Sequence, residues 1–107
     1  MARVPTITEE DAKRPNRERE CLVGKRTRIA NRMKATLARL GIRNFKPTPR
    51  GRVLATLHTP EGVPLPPNVS AELQRDMARL GFVMGQIRDI EDARRKRLEQ
   101  LAATGLA

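Results

Sequence analysis

The chain has 107 residues, a net charge of +10 and two aromatic residues, Phe45 and Phe82. That length holds one small domain, and the scarcity of large rings argues against a compact core and for helices packed along aliphatic seams. A lone cysteine, Cys21, excludes an internal disulfide. With no signal-peptide pattern at Met1-Ala2-Arg3-Val4-Pro5 and no run near the roughly 20 apolar residues of a membrane span, a soluble cytoplasmic protein without a membrane partner is expected.

The charge is unevenly placed. Met1 through Arg52 holds fifteen Lys/Arg against five Asp/Glu, whereas Val53 through Ala107 holds seven of each. Between Cys21 and Pro60 there are ten basic residues and no acid. A one-sided cationic field of this kind attracts polyanions, nucleic acid first among them.

In chain order, residues 1–8 read as an N-terminal extension. Thr8, followed by Glu9, Glu10 and Asp11, has the pattern of a helix start: a hydroxyl to cap a free N–H, an acid three residues on, and carboxylates at the positive end of the dipole. A basic long helix is expected over 9–40, stopped at Gly41. Pro15 either kinks it or marks the start of its stable part. Leu22, Ile29, Met33, Leu37 and Leu40 fall on one stripe at helical spacing. Lys25, Arg28, Arg32 and Arg39 fall on a second stripe about a quarter-turn away, at 100° per residue, with Arg43 just beyond it.

Residues 41–67 form a Pro/Gly-rich connector. Within it, 50–58 is predicted as a short helix with Val53, Leu54 and Leu57 inward, and Thr59-Pro60-Glu61-Gly62 as a turn. A second long helix is expected over 68–101, starting at Pro67 or Asn68, with 102–107 as a tail. Leu73, Met77, Leu80, Met84 and Ile87 step by four, three, four and three, a heptad seam that Leu98 and Leu101 resume after a break at Arg94. Gly81 and Gly85, each costing about 1 kcal/mol relative to Ala, either permit close helix approach or are tolerated defects. The fold class that follows is all-α, a long antiparallel helical hairpin or coiled coil with a short connecting helix. Because two helices bury little surface by themselves, the heptad seam is expected to seat another subunit.

Few groups could carry chemistry. His58 is the single histidine and has no second ligand near it in sequence, so no metal site is expected. Cys21 reads as a small buried hydrophobe without a base to activate it. Glu9-Glu10-Asp11 and Asp89-Glu91-Asp92 are local helical runs, whereas two-metal carboxylates must converge from several elements. Ser70 reads as a cap or decoration at the start of the second helix. No phosphate-cradling loop or zinc spacing is present, so no catalytic residue, no cofactor and no small-molecule partner is expected. The cationic stripe is the informative feature. A solvated helix face mixes both signs at i,i+4, and this one does not. With so few rings, backbone contact fits better than base stacking.

At Arg17-Glu18-Arg19-Glu20, Leu22-Val23, Arg26-Thr27, Asn31-Arg32-Met33-Lys34 and Leu37 through Gly41-Ile42, the chain resembles the DEDD-type, RuvC-like insertion-sequence transposases, the bridge-RNA recombinases. Arg3-Val4-Pro5-Thr6 with Glu9-Glu10-Asp11, and Leu57-His58-Thr59-Pro60-Glu61-Gly62 with Pro64-Leu65-Pro66-Pro67, extend the resemblance from Arg3 to about Leu98. It implies the coiled-coil segment of a DNA recombinase whose RNase H-like metal-binding half and serine-bearing domain are separate from it, and which uses a structured RNA for recognition. No catalytic residue of the family maps onto this chain. Pro15 falls where relatives continue a helix, Gly24, Gly81 and Gly85 replace good helix formers, and Met1 opens inside the family pattern. Together these imply a truncated transposase. The partners implied are DNA or structured RNA, and a second copy or full-length transposase. The alternative function is a stand-alone basic helical hairpin acting as adaptor or inhibitor of a transposase.

Overall fold

In the computed structural model, residues 4, 6–43, 45–47 and 57–105 are described. They form two helices, α1 (Ile7–Arg39) and α2 (Pro67–Ala103), antiparallel to one another: Arg19 meets Glu91 and Arg32, further along α1, meets Asp76, further back along α2. The shape is elongated, 61 × 38 × 19 Å with a radius of gyration of 19.9 Å, against about 13 Å for a compact chain of this size.

Local sequence explains where each helix starts and stops. α1 begins two residues earlier than the Thr8 pattern suggests. Thr6 is the cap: its Oγ1 accepts from the Glu9 N–H at 3.1 Å, and Glu9 Oε2 accepts from the Thr6 N–H at 3.4 Å. Both Thr6/Glu9 and Thr8/Asp11 satisfy the capping-box spacing, and only the first closes. Pro15 lies inside a continuous α1. It supplies no N–H for the Asp11 carbonyl, and both residues are exposed.

Gly41 ends α1 as expected, at φ 84°. The Ile42 N–H reaches the Leu37 carbonyl and the Gly41 N–H that of Ala38, each at 3.0 Å, the paired bonds of a Schellman motif. Ile42 packs with Leu37 in the same apolar cluster. A Cβ at position 41 would lie 2.9 Å from Pro60 Cγ, so the bare backbone also lets the connector sit against the helix end.

The turn over Thr59–Gly62 closes through Gly62 N–H to Thr59 O and Thr59 N–H to Val63 O, both at 2.8 Å. Gly62 has φ 82°, the arrangement of a three-residue hairpin loop ended by a left-handed glycine. His58 bridges Pro64 across it. Residues 48–56, and with them Val53, Leu54 and most of the short helix expected at 50–58, lie outside the described residues. Leu57 and His58 at its end are not helical. α2 starts on Pro66-Pro67 without a side-chain cap. Ser70 does not cap it: its own N–H donates to the Pro66 carbonyl at 2.9 Å.

The core lies between the helices at the connector end. Met33, Leu37, Phe45, Leu73, Met77 and Leu80 form one buried cluster, with Ile29, Ile42, Leu57, Leu65, Val69 and Met84 against it. Leu22, Val83 and Ile87 form a second, nearer the middle. Beyond Arg19 and Glu91 neither helix has a buried residue, and Leu98 is 55% exposed. The reason is compositional: Glu9 through Glu20 offers no large apolar side chain to face Leu98 and Leu101. Cys21, read as a small buried residue, is exposed. Its neighbour Leu22 takes the inward position.

A Cβ built on Gly81 or Gly85 would meet nothing within 4 Å, so close approach within the hairpin does not require these glycines. Gly81→Ala and Gly85→Ala are each expected to raise unfolding stability by about 1 kcal/mol. Gly41→Ala, forced to a positive φ against Pro60, is expected to lower it. Thermal denaturation followed by circular dichroism checks all three.

Candidate nucleic-acid interface

Each of the five residues expected to contact phosphate is on α1 or just past it, and all five are exposed. They do not share one role. Arg32 is committed to the fold: its Nε donates to Asp76 Oδ2 at 3.2 Å and its Nη2 to Oδ1 at 2.5 Å. Arg79 adds a second cation to the same carboxylate, Nη1 to Oδ1 at 2.9 Å. Asp76 is 2% exposed, whereas the side chains of its two partners are 51% and 58% exposed. The guanidiniums thus reach in from solvent and cover a buried anion. The hydrogen bond to Asp76, reinforced by its charge, raises the pKa of Arg32 above its ordinary value. Stability from a raised pKa is fully present below the unfolded value and lost only as pH climbs through the folded one. For an arginine that window lies far into alkali, so the contribution is constant at neutral pH.

With Arg32 committed to Asp76, Lys25, Arg28 and Arg39 remain as an exposed edge of α1, and Arg43 is exposed just past its end. Among the described residues none of the four has an ion pair. Arg39 also lies in the last turn of α1, where a cation favours the negative end of the dipole. The ion pairs among the described residues lie elsewhere: Glu10 with Arg17, Glu91 with Arg19, Asp76 with Arg32 and Arg79, Asp92 and Glu99 with Arg95. The edge therefore keeps its charge.

The seam reserved for a second subunit is filled from within. Leu73, Met77, Leu80 and Ile87 are buried, and Met84 is half-buried against them, with Leu22, Ile29, Met33 and Leu37 of α1 in the same two clusters. Phe45, folded back from the connector, closes the end that two helices alone would leave open. That contribution is absent from any helical periodicity. Asp76 was likewise overlooked as a structural residue. The available signal was its place directly beside Met77 on the seam, where an acid is costly unless paired.

Among the described residues no group of three or more His, Cys, Asp or Glu is placed to hold a metal ion, and none of the helices is long and apolar enough to cross a membrane. His58 is exposed in its turn.

These features define an antiparallel helical hairpin whose apolar seam is packed within the chain at the connector end and whose cationic edge has no ion pair among the described residues. The chain is 41% identical over 93 residues, 85% of its length, to a protein of Sinorhizobium fredii named "Putative transposase y4rJ". The matched segment is 24% of that protein, so the chain spans about a quarter of the relative's length. No family model matches the chain. No solved structure matches it either. The likeness to a transposase read from the sequence is thus matched by a curated relative that carries that name.

The clamp makes an asymmetric prediction. Asp76→Ala frees two arginines that can turn to water. Arg32→Ala with Arg79→Ala instead leaves a buried carboxylate without a partner, the costlier defect. The double arginine variant is expected to melt lower than Asp76→Ala. Equal melting temperatures would show that the carboxylate is not held as described.

Proposed function

We propose that this chain is the nucleic-acid-holding helical segment of an insertion-sequence transposase of the DEDD, RuvC-like type, acting in DNA transposition through backbone contacts to duplex DNA or structured RNA. The observation that carries the proposal is the unpaired edge Lys25, Arg28, Arg39 and Arg43. These cations stand free although the chain has acids enough nearby to pair others. A helix edge that keeps its cations suits the regular phosphates of a helical nucleic acid and reads no base. Similarity to a quarter of a relative with a transposase name supports placing that edge within a larger recombinase.

On this reading the chain binds and positions, and the chemistry belongs to other parts of the enzyme. Nothing among the described residues gathers carboxylates around a point, as metal-assisted strand cleavage requires. The purified chain with magnesium is expected to leave supercoiled plasmid intact. Nicking that persists through repurification and disappears in Asp89→Asn or Glu91→Gln would defeat this part of the proposal.

Binding should depend on salt through counterion release, with a log–log slope of about −0.9 per duplex phosphate contacted. Arg28→Gln with Arg39→Gln is expected to reduce that slope by about two units and to weaken all duplex sequences alike. Arg32→Gln is expected to lower the melting temperature and to leave the slope unchanged. Fluorescence anisotropy at several salt concentrations distinguishes these outcomes. A parent chain whose duplex affinity ignored salt, or an edge variant bound as tightly as the parent, would return the edge to a merely solvated face.

A further inference from the structure

A second cationic surface lies on the opposite flank of α1. At 100° per residue, Arg26, Ala30 and Lys34 fall on the far side of the core stripe from Lys25, Arg28 and Arg39. The connector brings Lys46 and Pro47 against this flank, and together with α2 they border an open groove of about 400 Å³ whose apolar lining is Ala30, Pro47, Leu80 and Met84. Lys34 and Lys46 are exposed and Arg26 half-buried. Among the described residues none of the three has an ion pair, and no acid lines the groove. Asn31 adds an exposed amide at the rim.

We propose that this groove holds one unpaired nucleic-acid strand, at the same time as the opposite edge holds a duplex. Both proposals require a nucleic-acid partner, but they use different residues. Three unneutralised cations around a concavity provide a positive track for successive phosphates, as single-strand channels do. The apolar lining gives sugars and base edges a surface that is not water, and it contains no aromatic ring, so contact is tolerant of sequence. A duplex offers its phosphates on a convex surface and suits the open edge better than the groove. Because the two surfaces flank α1 on opposite sides, one hairpin can bridge a strand and a duplex without competition between them.

The test compares two double variants that each remove two positive charges: Lys34→Gln/Lys46→Gln in the groove and Arg28→Gln/Arg39→Gln on the edge. The probes are a labelled oligothymidine of about twelve nucleotides, within the usual span of single-strand sites, and a mixed-sequence duplex of equal length. The groove variant is expected to weaken the single strand about tenfold and to reduce its salt slope by about 1.4, at 0.7 per contact. It should leave duplex affinity within about twofold of the parent, since lost contacts weaken only the ligand that makes them. Lys34→Arg/Lys46→Arg should restore strand binding, and unchanged circular dichroism melting excludes misfolding as the cause. Unlabelled duplex in excess should not displace the labelled strand. If the groove variant binds the strand as the parent does, or the duplex competes it away, the groove proposal fails while the edge reading stands. If the parent binds the strand through the groove and ignores the duplex, the edge reading fails and the groove remains. If the parent binds neither probe, both fail.

Discussion

The hairpin is organised around a carboxylate that is almost wholly buried. Asp76 lies 2% exposed beside the apolar seam of α2, and a buried anion costs several kcal/mol unless cations and hydrogen bonds answer it. Arg79, one turn along the same helix, can supply one cation in any arrangement. The other comes from α1, and only when Arg32 arrives at that level. A slip of one residue would rotate α1 by about 100° and withdraw Arg32, so the pair favours one register. The Leu and Met side chains of the seam, much alike in size and free of polarity, discriminate registers far less. Hydrophobic burial supplies the drive to close the hairpin, and the clamp selects how it closes.

The clamp also decides which cations remain available. Arg32 lies on the same stripe of α1 as Arg28 and Lys25, is exposed as they are, and is indistinguishable from them in one dimension. Its guanidinium nevertheless belongs to the packing, while its neighbours meet solvent alone. Each acid used in a cross-helix pair, Glu91 or Asp76, neutralises an arginine near the α1–α2 boundary. What is left is charge on both flanks of α1, Lys25, Arg28 and Arg39 on one and Arg26 and Lys34 on the other. A single net charge of +10 thus separates into two surfaces of different shape, one open and one concave.

The free half of the hairpin follows a different rule. Past Arg19 and Glu91 the helices persist with no buried residue, held by backbone hydrogen bonds, the Thr6/Glu9 box and local ion pairs such as Arg17 with Glu10 and Arg95 with Asp92. Exposed pairs of this kind contribute a few tenths of a kcal/mol each. The connector end, with two apolar clusters, Phe45 and the docked Pro60 turn, is therefore the stable part. The cationic edge and the groove both sit on that part, where a rigid support holds them in position.

Local and periodic features were legible from the amino acids alone. The αL stop at Gly41, the Thr59–Gly62 turn, the start of α2 at Pro67 and the two inward stripes all depend on residues within one or two turns of each other, and the transposase likeness rests on strings of the same short range. Even the misplaced start of α1 was a local ambiguity, between two equally spaced threonine–acid pairs. Everything that required one segment to find another was invisible at that level. The occupation of the Leu73–Ile87 seam by α1, the return of Phe45 to the core, the exposure of Cys21, the capture of Arg32 by Asp76 and the placing of Lys46 beside Arg26 and Lys34 are contacts between residues far apart in the chain. Periodicity shows which face of a helix is apolar or charged, but not what will face it. That is settled only when the two helices meet in register.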